Sequence, residues 1–138
     1  MADRISHHDA LIYVMVTISA ADRTMTDSEI LSIGQIVQTL PVFRDFDSDR
    51  LVQVAEDCGA LLQEEDGLNS VLDIVASSLP HKLYETAYAL AVEVAAADLH
   101  VEQEELRLLQ MLRDTLDLTK LSVAAIEHGA RVRYRTAG

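Results

Sequence analysis

The stretch ALIYVMVTISAA, residues 10–21, decides the fold of this chain. It is apolar on nearly every side of a helix, and such a helix is stable only when other helices surround it. A second stretch of the same kind, AYALAVEVAAA, occupies residues 87–97. The sequence therefore predicts that helices over 10–21 and 83–97 are neighbours at the centre of one bundle.

The rest of the chain also has the apolar spacing of helices. Its 138 residues include only two Pro and five Gly, and no run alternates as a strand would. The spacing predicts seven helices, near residues 7–21, 27–40, 49–64, 68–78, 80–97, 103–116 and 121–134. Asp47 or Ser48 is expected to start the third helix, Gly67 to end it, and Pro80 to lie in the first turn of the fifth. We expect an all-α fold, a single-domain bundle over residues 1–138.

The two apolar stretches begin segments that resemble each other. An offset of 76 residues aligns 10–40 with 86–116 and gives seven identities over 31 positions, clustered around one Ala-Ala-Asp turn. We interpret these two segments as repeat units, which predicts an internal pseudo-twofold duplication of a helix–turn–helix unit.

Each unit carries an Asp after its apolar helix and a Glu seven residues later, as Asp22 with Glu29 and Asp98 with Glu105. A carboxylate after the last turn of a helix faces the negative end of the helix dipole, so something should compensate it. One alternative is local, an Asx-turn at the Asp and a capping box between Thr26 and Glu29. The other is a divalent cation held by the Asp and by the Glu of the next helix.

The second unit places more acidic residues around its turn. Glu93 lies inside the apolar helix, five residues before Asp98, and His100, Glu102 and Glu104 follow closely. Such carboxylates repel each other unless they are protonated, solvated or neutralised by a cation. Carboxylate oxygens suit Ca²⁺, Mg²⁺ or Mn²⁺, whereas zinc would require the histidine and is less favoured.

The overall charge and the single cysteine exclude several classes of function. The chain has 23 Asp and Glu against 11 Lys and Arg, a formal net charge of −12. This charge disfavours nucleic acid and anionic membranes as partners. The lone Cys58 excludes an internal disulfide and a cysteine zinc cage, and its apolar neighbours predict buried packing. The longest N-terminal apolar run has twelve residues, and a membrane-spanning helix needs roughly 20. We expect no direct membrane insertion and a cytoplasmic location.

Two further features bear on partners and on catalysis. Arg131, Arg133 and Arg135 form the only basic concentration in the chain. Three interpretations of these arginines are open. They could pair with acidic residues of the same chain, or with acidic residues of a second copy in a homodimer. In the third interpretation they only stabilise the C-terminal end of the last helix by interacting with its dipole. The sequence contains no phosphate loop, nucleophile elbow or zinc-protease motif, so we expect a protein that is not an enzyme.

The turn motifs resemble those of a known family. Two helical units with the patterns A-A-D-x-x-x-T-x-x-E and A-A-A-D-x-x-x-x-x-x-E are similar to the tellurite resistance TerB family, and the resemblance covers about residues 8–118. The superfamily includes the N-terminal domain of membrane-anchored DnaJ-like co-chaperones. The family usually has Gly after the Asp of the turn, and here Arg23 and Leu99 replace it.

The resemblance implies an all-helical fold with two acidic, cation-associated turns. It also implies a non-enzymatic role in stress or metal-oxyanion response that works through protein partners. The family's acidic positions carry over to Asp22, Glu29, Glu93, Asp98 and Glu105. Two alternatives remain: a purely structural docking domain whose acidic turns only cap helices, and an enzyme with paired carboxylates such as Glu93 and Asp98.

Overall fold

The computed structural model describes residues 4–20, 27–97 and 103–138. Within these ranges the chain forms seven helices: α1 (His7–Ser19), α2 (Asp27–Thr39), α3 (Leu51–Leu62), α4 (Gly67–Ser78), α5 (Tyr84–Ala97), α6 (Gln103–Leu116) and α7 (Lys120–Arg133). Three 3-10 turns, Pro41–Phe43, Ser48–Arg50 and His81–Leu83, lie in the connections. The described residues contain no strand, so the predicted all-α class is confirmed.

Helix α1 is the centre of the bundle. Every residue from Ala10 to Ser19 is buried, because α3, α4, α5 and α6 all pack against this helix. Helix α5 lies beside α1 and buries most of its own apolar residues, including Tyr88 and Val92. The prediction that the two apolar helices are central neighbours is confirmed. They are buried because their surfaces are apolar on nearly every side, as their sequences indicate. Neither helix has a polar face that could remain in water.

The outer helices are amphipathic and each covers part of this centre. Helix α6 buries Leu108, Leu109, Leu112 and Leu116, which are spaced along one face. Helix α7 packs mainly on α5. Its other side is open, and Leu121 and Val132 are among the exposed large apolar side chains.

Some predicted helix ends are wrong, and the loop between α3 and α4 shows why. Gly67 begins α4 instead of ending α3, and the left-handed residue in this turn is Asp66, with φ of 60°. A Cβ at Gly67 would lie 2.1 Å from the carbonyl oxygen of Leu61. Glycine is therefore needed here for close approach of two backbone segments. Pro80 precedes the turn His81–Leu83, so α5 begins at Tyr84, later than predicted.

Asp47, predicted to start the third helix, caps the 3-10 turn before it by accepting a hydrogen bond from the Asp49 N–H at 3.0 Å. The internal duplication remains a prediction, because nothing in the described residues tests it. No helix in the described ranges has both the length and the apolar character that crossing a membrane requires.

Candidate functional site

The predicted acidic residues fall into two groups with respect to the structure. Asp22 and Asp98, together with the predicted N-cap Thr26, lie outside the described residues. Glu29, Glu93 and Glu105 lie inside them, on α2, α5 and α6. The local geometry of these three carboxylates is therefore the part of the predicted site that can be described.

Glu29 and Glu105 occupy the same position in their helices. Each is the third residue, Glu29 in α2 and Glu105 in α6. A carboxylate in a first turn interacts favourably with the positive end of the helix dipole. The two differ in depth, because Glu29 is half-buried whereas the Glu105 residue is only 7% exposed. A carboxylate as deep as Glu105 is tolerated only where hydrogen bonds or positive charge stabilise it.

The end of α1 and the beginning of α6 border one open groove. This groove has a volume of about 370 Å³. Thr17 of α1 and the following Ala20 line one side, and α6 lines another. The lining from α6 is Glu104, Arg107, Leu108 and Met111, and Leu62 of α3 and Leu68 of α4 complete it. The groove therefore joins the helix that precedes the first acidic turn to the helix that follows the second. Its lining is mostly apolar, with the charged Glu104 and Arg107 among the residues that border it, so its shape and chemistry suit an apolar side chain.

Glu93 is held by the C-terminal end of α7. Arg133 Nη2 donates to Glu93 Oε2 in an ion pair, and Tyr134 Oη donates to Glu93 Oε1 at 2.8 Å. Burial, and then the hydrogen bond to the Glu93 carboxylate, raise the pKa of Tyr134. The basic C-terminal segment thus pairs with the acidic body of its own chain, which is one of the alternatives that its sequence left open.

A second polar cluster, which the sequence reasoning missed, joins α5, α6 and α7. Tyr88 Oη donates to Glu127 Oε2 at 2.5 Å and accepts from Arg113 Nη1 at 2.8 Å. Arg113 Nη1 also donates to Glu127 Oε2 at 3.2 Å. Burial and the hydrogen bond to Glu127 raise the pKa of Tyr88 to about 12. The sequence contained one indication of this cluster, a tyrosine within the apolar stretch 87–97. A buried tyrosine hydroxyl requires a hydrogen-bond partner, so a polar residue of another helix had to lie nearby.

Cys58 has the environment of a packing residue. Its Sγ lies 3.7 Å from Thr17 Oγ1 and donates to the Tyr13 carbonyl oxygen at 3.7 Å. The residue is fully buried, and this burial raises the pKa of its thiol to about 12. The predicted buried packing is confirmed. A thiol in this state is neutral at physiological pH and is not an activated nucleophile.

The donor set of the predicted site agrees with a hard divalent cation. All five predicted ligands are carboxylates, and oxygen donors of this type suit Ca²⁺, Mg²⁺ or Mn²⁺. Within residues 4–20, 27–97 and 103–138, no group of three or more His, Cys, Asp or Glu side chains is placed to hold a metal ion. A site would therefore have to include residues of the two turns beyond these ranges, with Glu29, Glu93 and Glu105 contributing from the helices.

Comparison with known proteins identifies the family. The family model described as tellurite resistance protein TerB matches residues 8–128, a range that begins in α1 and ends within α7. Comparisons with curated proteins and with solved structures gave no significant match. The matched range contains both acidic turns, α1 from its second residue onwards, and all of α2 to α6, so it covers the central helices and the predicted site together. The chain belongs to the TerB tellurite resistance family.

Proposed function

We propose that this chain is a non-enzymatic stress-response module that binds a divalent cation at its acidic inter-helix turns and acts through a protein partner. The observation that carries the proposal is the TerB match over residues 8–128. The geometry supports the proposal in one respect. Glu29 and Glu105 occupy equivalent places, each in the first turn of a helix that follows an acidic turn. A cytoplasmic location agrees with such a role.

The cation is proposed to be Ca²⁺, Mg²⁺ or Mn²⁺. Asp22 and Glu29 would supply oxygens in the first turn, and Asp98 and Glu105, with Glu93, in the second. A bound cation would remove the repulsion among these carboxylates. It would also stabilise the folded chain, because a ligand that binds only the folded state raises the free energy of unfolding.

A structural docking domain is the second candidate. The observation in its favour is that Glu29 and Glu105 occupy first turns, where a carboxylate stabilises a helix without any metal. In this case the acidic turns only cap helices, and the open groove between α1 and α6 is where a partner's side chain would insert. Cation binding separates the two candidates.

The deciding experiment is a calorimetric titration with Ca²⁺, Mg²⁺ and Mn²⁺ at moderate salt, which screens general attraction to an acidic surface. Asp98→Asn and Glu105→Gln keep the size and hydrogen bonding of the side chain but remove one charge. If the cation is bound at this turn, each variant should lose about tenfold or more in affinity. Glu64→Gln is the matched control, because Glu64 is an exposed carboxylate after α3. Equal weak binding by all four proteins would refute the cation site and favour the docking domain.

A further inference from the structure

The loop between α6 and α7 is short and contains a strained residue. It consists of Asp117, Leu118 and Thr119, and Asp117 has a left-handed backbone with φ of 51°. The Leu118 N–H donates to the Arg113 carbonyl oxygen at 3.3 Å, which is the hydrogen bond of a Schellman turn. Such a turn favours glycine at its left-handed position, so Asp117 is held there at a cost in free energy. A short strained loop of this kind promotes exchange of the following element between two copies of a chain.

The apolar spacing of α6 continues through this loop into α7 without a change of phase. The positions that follow one another at steps of three and four are Leu109, Leu112, Leu116, Thr119, Val123, Ile126 and Ala130. These steps form a heptad pattern, which keeps its members on one side of a helix. No Gly or Pro lies within residues 103–128. The sequence therefore permits α6 and α7 to join as one continuous helix when the loop opens.

Helix α7 is attached to the rest of the chain mainly through α5 and through polar contacts. Of its residues only Ala130 is buried. It packs little against α6, and an open groove of about 580 Å³ lies between these two helices. Its described polar contacts with other helices are those of Ser122 with Glu85, of Glu127 with Tyr88 and Arg113, and of Arg133 with Glu93. A second copy of the chain offers the same side chains in the same arrangement.

We propose that two copies of this chain form a dimer by exchanging α7, with residues 117–119 as the hinge. The α7 of each copy would cover the α5 of the other, and the contacts of α7 would form again between the copies. Opening the hinge relieves the left-handed conformation of Asp117 and adds the hydrogen bonds of a continuous helix. The opposing term is the lost freedom of two separate molecules, so exchange depends on protein concentration. This inference goes beyond the proposed function and does not require a bound cation.

The charge of α7 favours a second copy as its partner. Helix α7 carries Lys120, Arg131 and Arg133 against one carboxylate, Glu127, whereas the whole chain has a net charge of −12. Two copies of so acidic a chain repel each other across most of their surfaces. An exchanged α7 instead brings a basic helix to the acidic body of the other copy, which is electrostatically complementary.

The hinge is tested with two variants that differ by one methyl group. Asp117→Gly and Asp117→Ala remove the same carboxylate, but Gly adopts the left-handed conformation readily and Ala does not. Ala also stabilises a continuous helix better than Gly does. We expect Asp117→Ala to dimerise at least about tenfold more tightly than Asp117→Gly, because each dimer opens two hinges. Analytical ultracentrifugation over a range of concentrations measures both constants, with chelator present so that no divalent cation contributes.

Asp66 supplies the matched control. It also has a left-handed backbone, with φ of 60°, and it precedes α4. Helix α4 packs on α1, α3 and α6 and buries Val71 and Val75 in the core, so it cannot leave its own chain at a comparable cost. Asp66→Ala and Asp66→Gly should therefore have equal dimerisation constants, although Asp66→Ala should unfold at a lower urea concentration.

Charge reversal distinguishes exchange from side-by-side association. Glu93→Arg and Arg133→Glu each break the ion pair between α5 and α7 and place like charges together within one chain. When the two variants are mixed, exchange of α7 creates one native pair and one reversed pair, so both contacts are restored. We expect the mixture to form about fivefold or more dimer than either variant alone. Native mass spectrometry should identify this dimer as one copy of each variant.

Each result supports or overturns the exchange. Heterodimers in the charge-reversal mixture, together with tighter dimerisation of Asp117→Ala than of Asp117→Gly, would support it. Equal constants of the two Asp117 variants, a mixture that gains no dimer, or monomers in every sample would overturn it. If an Asp117 variant fails to fold, the charge-reversal mixture still decides, because it retains the native hinge. None of these measurements involves a cation, so their failure leaves the proposed function standing.

Discussion

Replacing Val16 by Asp tests the architecture directly, because Val16 lies in the middle of the central helix. The residue is 2% exposed, and α1 is covered by α3, α4, α5 and α6. An Asp side chain at this position cannot reach water on any of these sides. The substitution therefore places a carboxyl group in the apolar core.

The expected cost has two parts. Losing the buried valine methyl groups costs roughly 2 kcal/mol, as Val16→Ala would. Burial raises the pKa of a carboxyl by up to about 3–5 units. In the unfolded chain the pKa of the Asp carboxyl is near 3.9, so the carboxyl is ionised at pH 7. In the folded chain it must therefore take up a proton at this pH. That uptake costs about 4 kcal/mol. The total of roughly 6 kcal/mol is comparable to the whole stability of many domains.

The pH dependence distinguishes a buried carboxyl from a simple loss of packing. The folded-state pKa of the introduced Asp is raised above its unfolded value, so its penalty is small at pH 4 and grows as the pH rises towards 7. Urea unfolding followed by circular dichroism should show Val16→Asp far below Val16→Ala at pH 7. The gap should narrow by about 4 kcal/mol at pH 4 and leave only the cost of burying a neutral carboxyl group. Leu121→Asp, at a residue 81% exposed, is the control and should change stability by less than about 0.5 kcal/mol. Equal midpoints of Val16→Asp and Val16→Ala at pH 7 would refute the central placement of α1.

Three other substitutions or reactions test separate features. Gly67→Ala should lower the free energy of unfolding by about 1–3 kcal/mol, because the added Cβ would lie 2.1 Å from a backbone carbonyl oxygen. An unchanged midpoint of urea unfolding would contradict the close backbone approach at this turn. Tyr88→Phe should cost about 1–3 kcal/mol because the bond to the charged Glu127 is lost. Because folding raises the pKa of Tyr88 to about 12, the wild type should lose stability between pH 10 and 12, and the variant should lose less. Cys58, with a thiol pKa of about 12, should resist alkylation at pH 8 until urea unfolds the chain; rapid labelling of the native chain would place the thiol at the surface.

Local periodicity was sufficient to predict most of the secondary structure. The residues of 10–21 and 87–97 are apolar nearly all round, and the hydrophobic effect leaves such helices no stable position except the centre of a bundle. The same reasoning predicts the apolar face of α6. The short acidic motifs were sufficient to indicate the TerB family, because those residues are close in the sequence and their spacing is a local property.

Only the tertiary structure decided which distant residues meet. Glu93 is 40 residues from Arg133, and Tyr88 is 39 residues from Glu127. Sequence spacing within one helix cannot show such pairs, because they depend on how α5, α6 and α7 pack. The sequence also predicted the wrong role for Gly67. Glycine is required there because a carbonyl oxygen of the preceding helix leaves no room for a Cβ, and not because the residue adopts a left-handed φ. The sequence by itself determined the helices, their apolar faces and the family; the packing of α7 on α5 determined what the Glu93 carboxylate contacts.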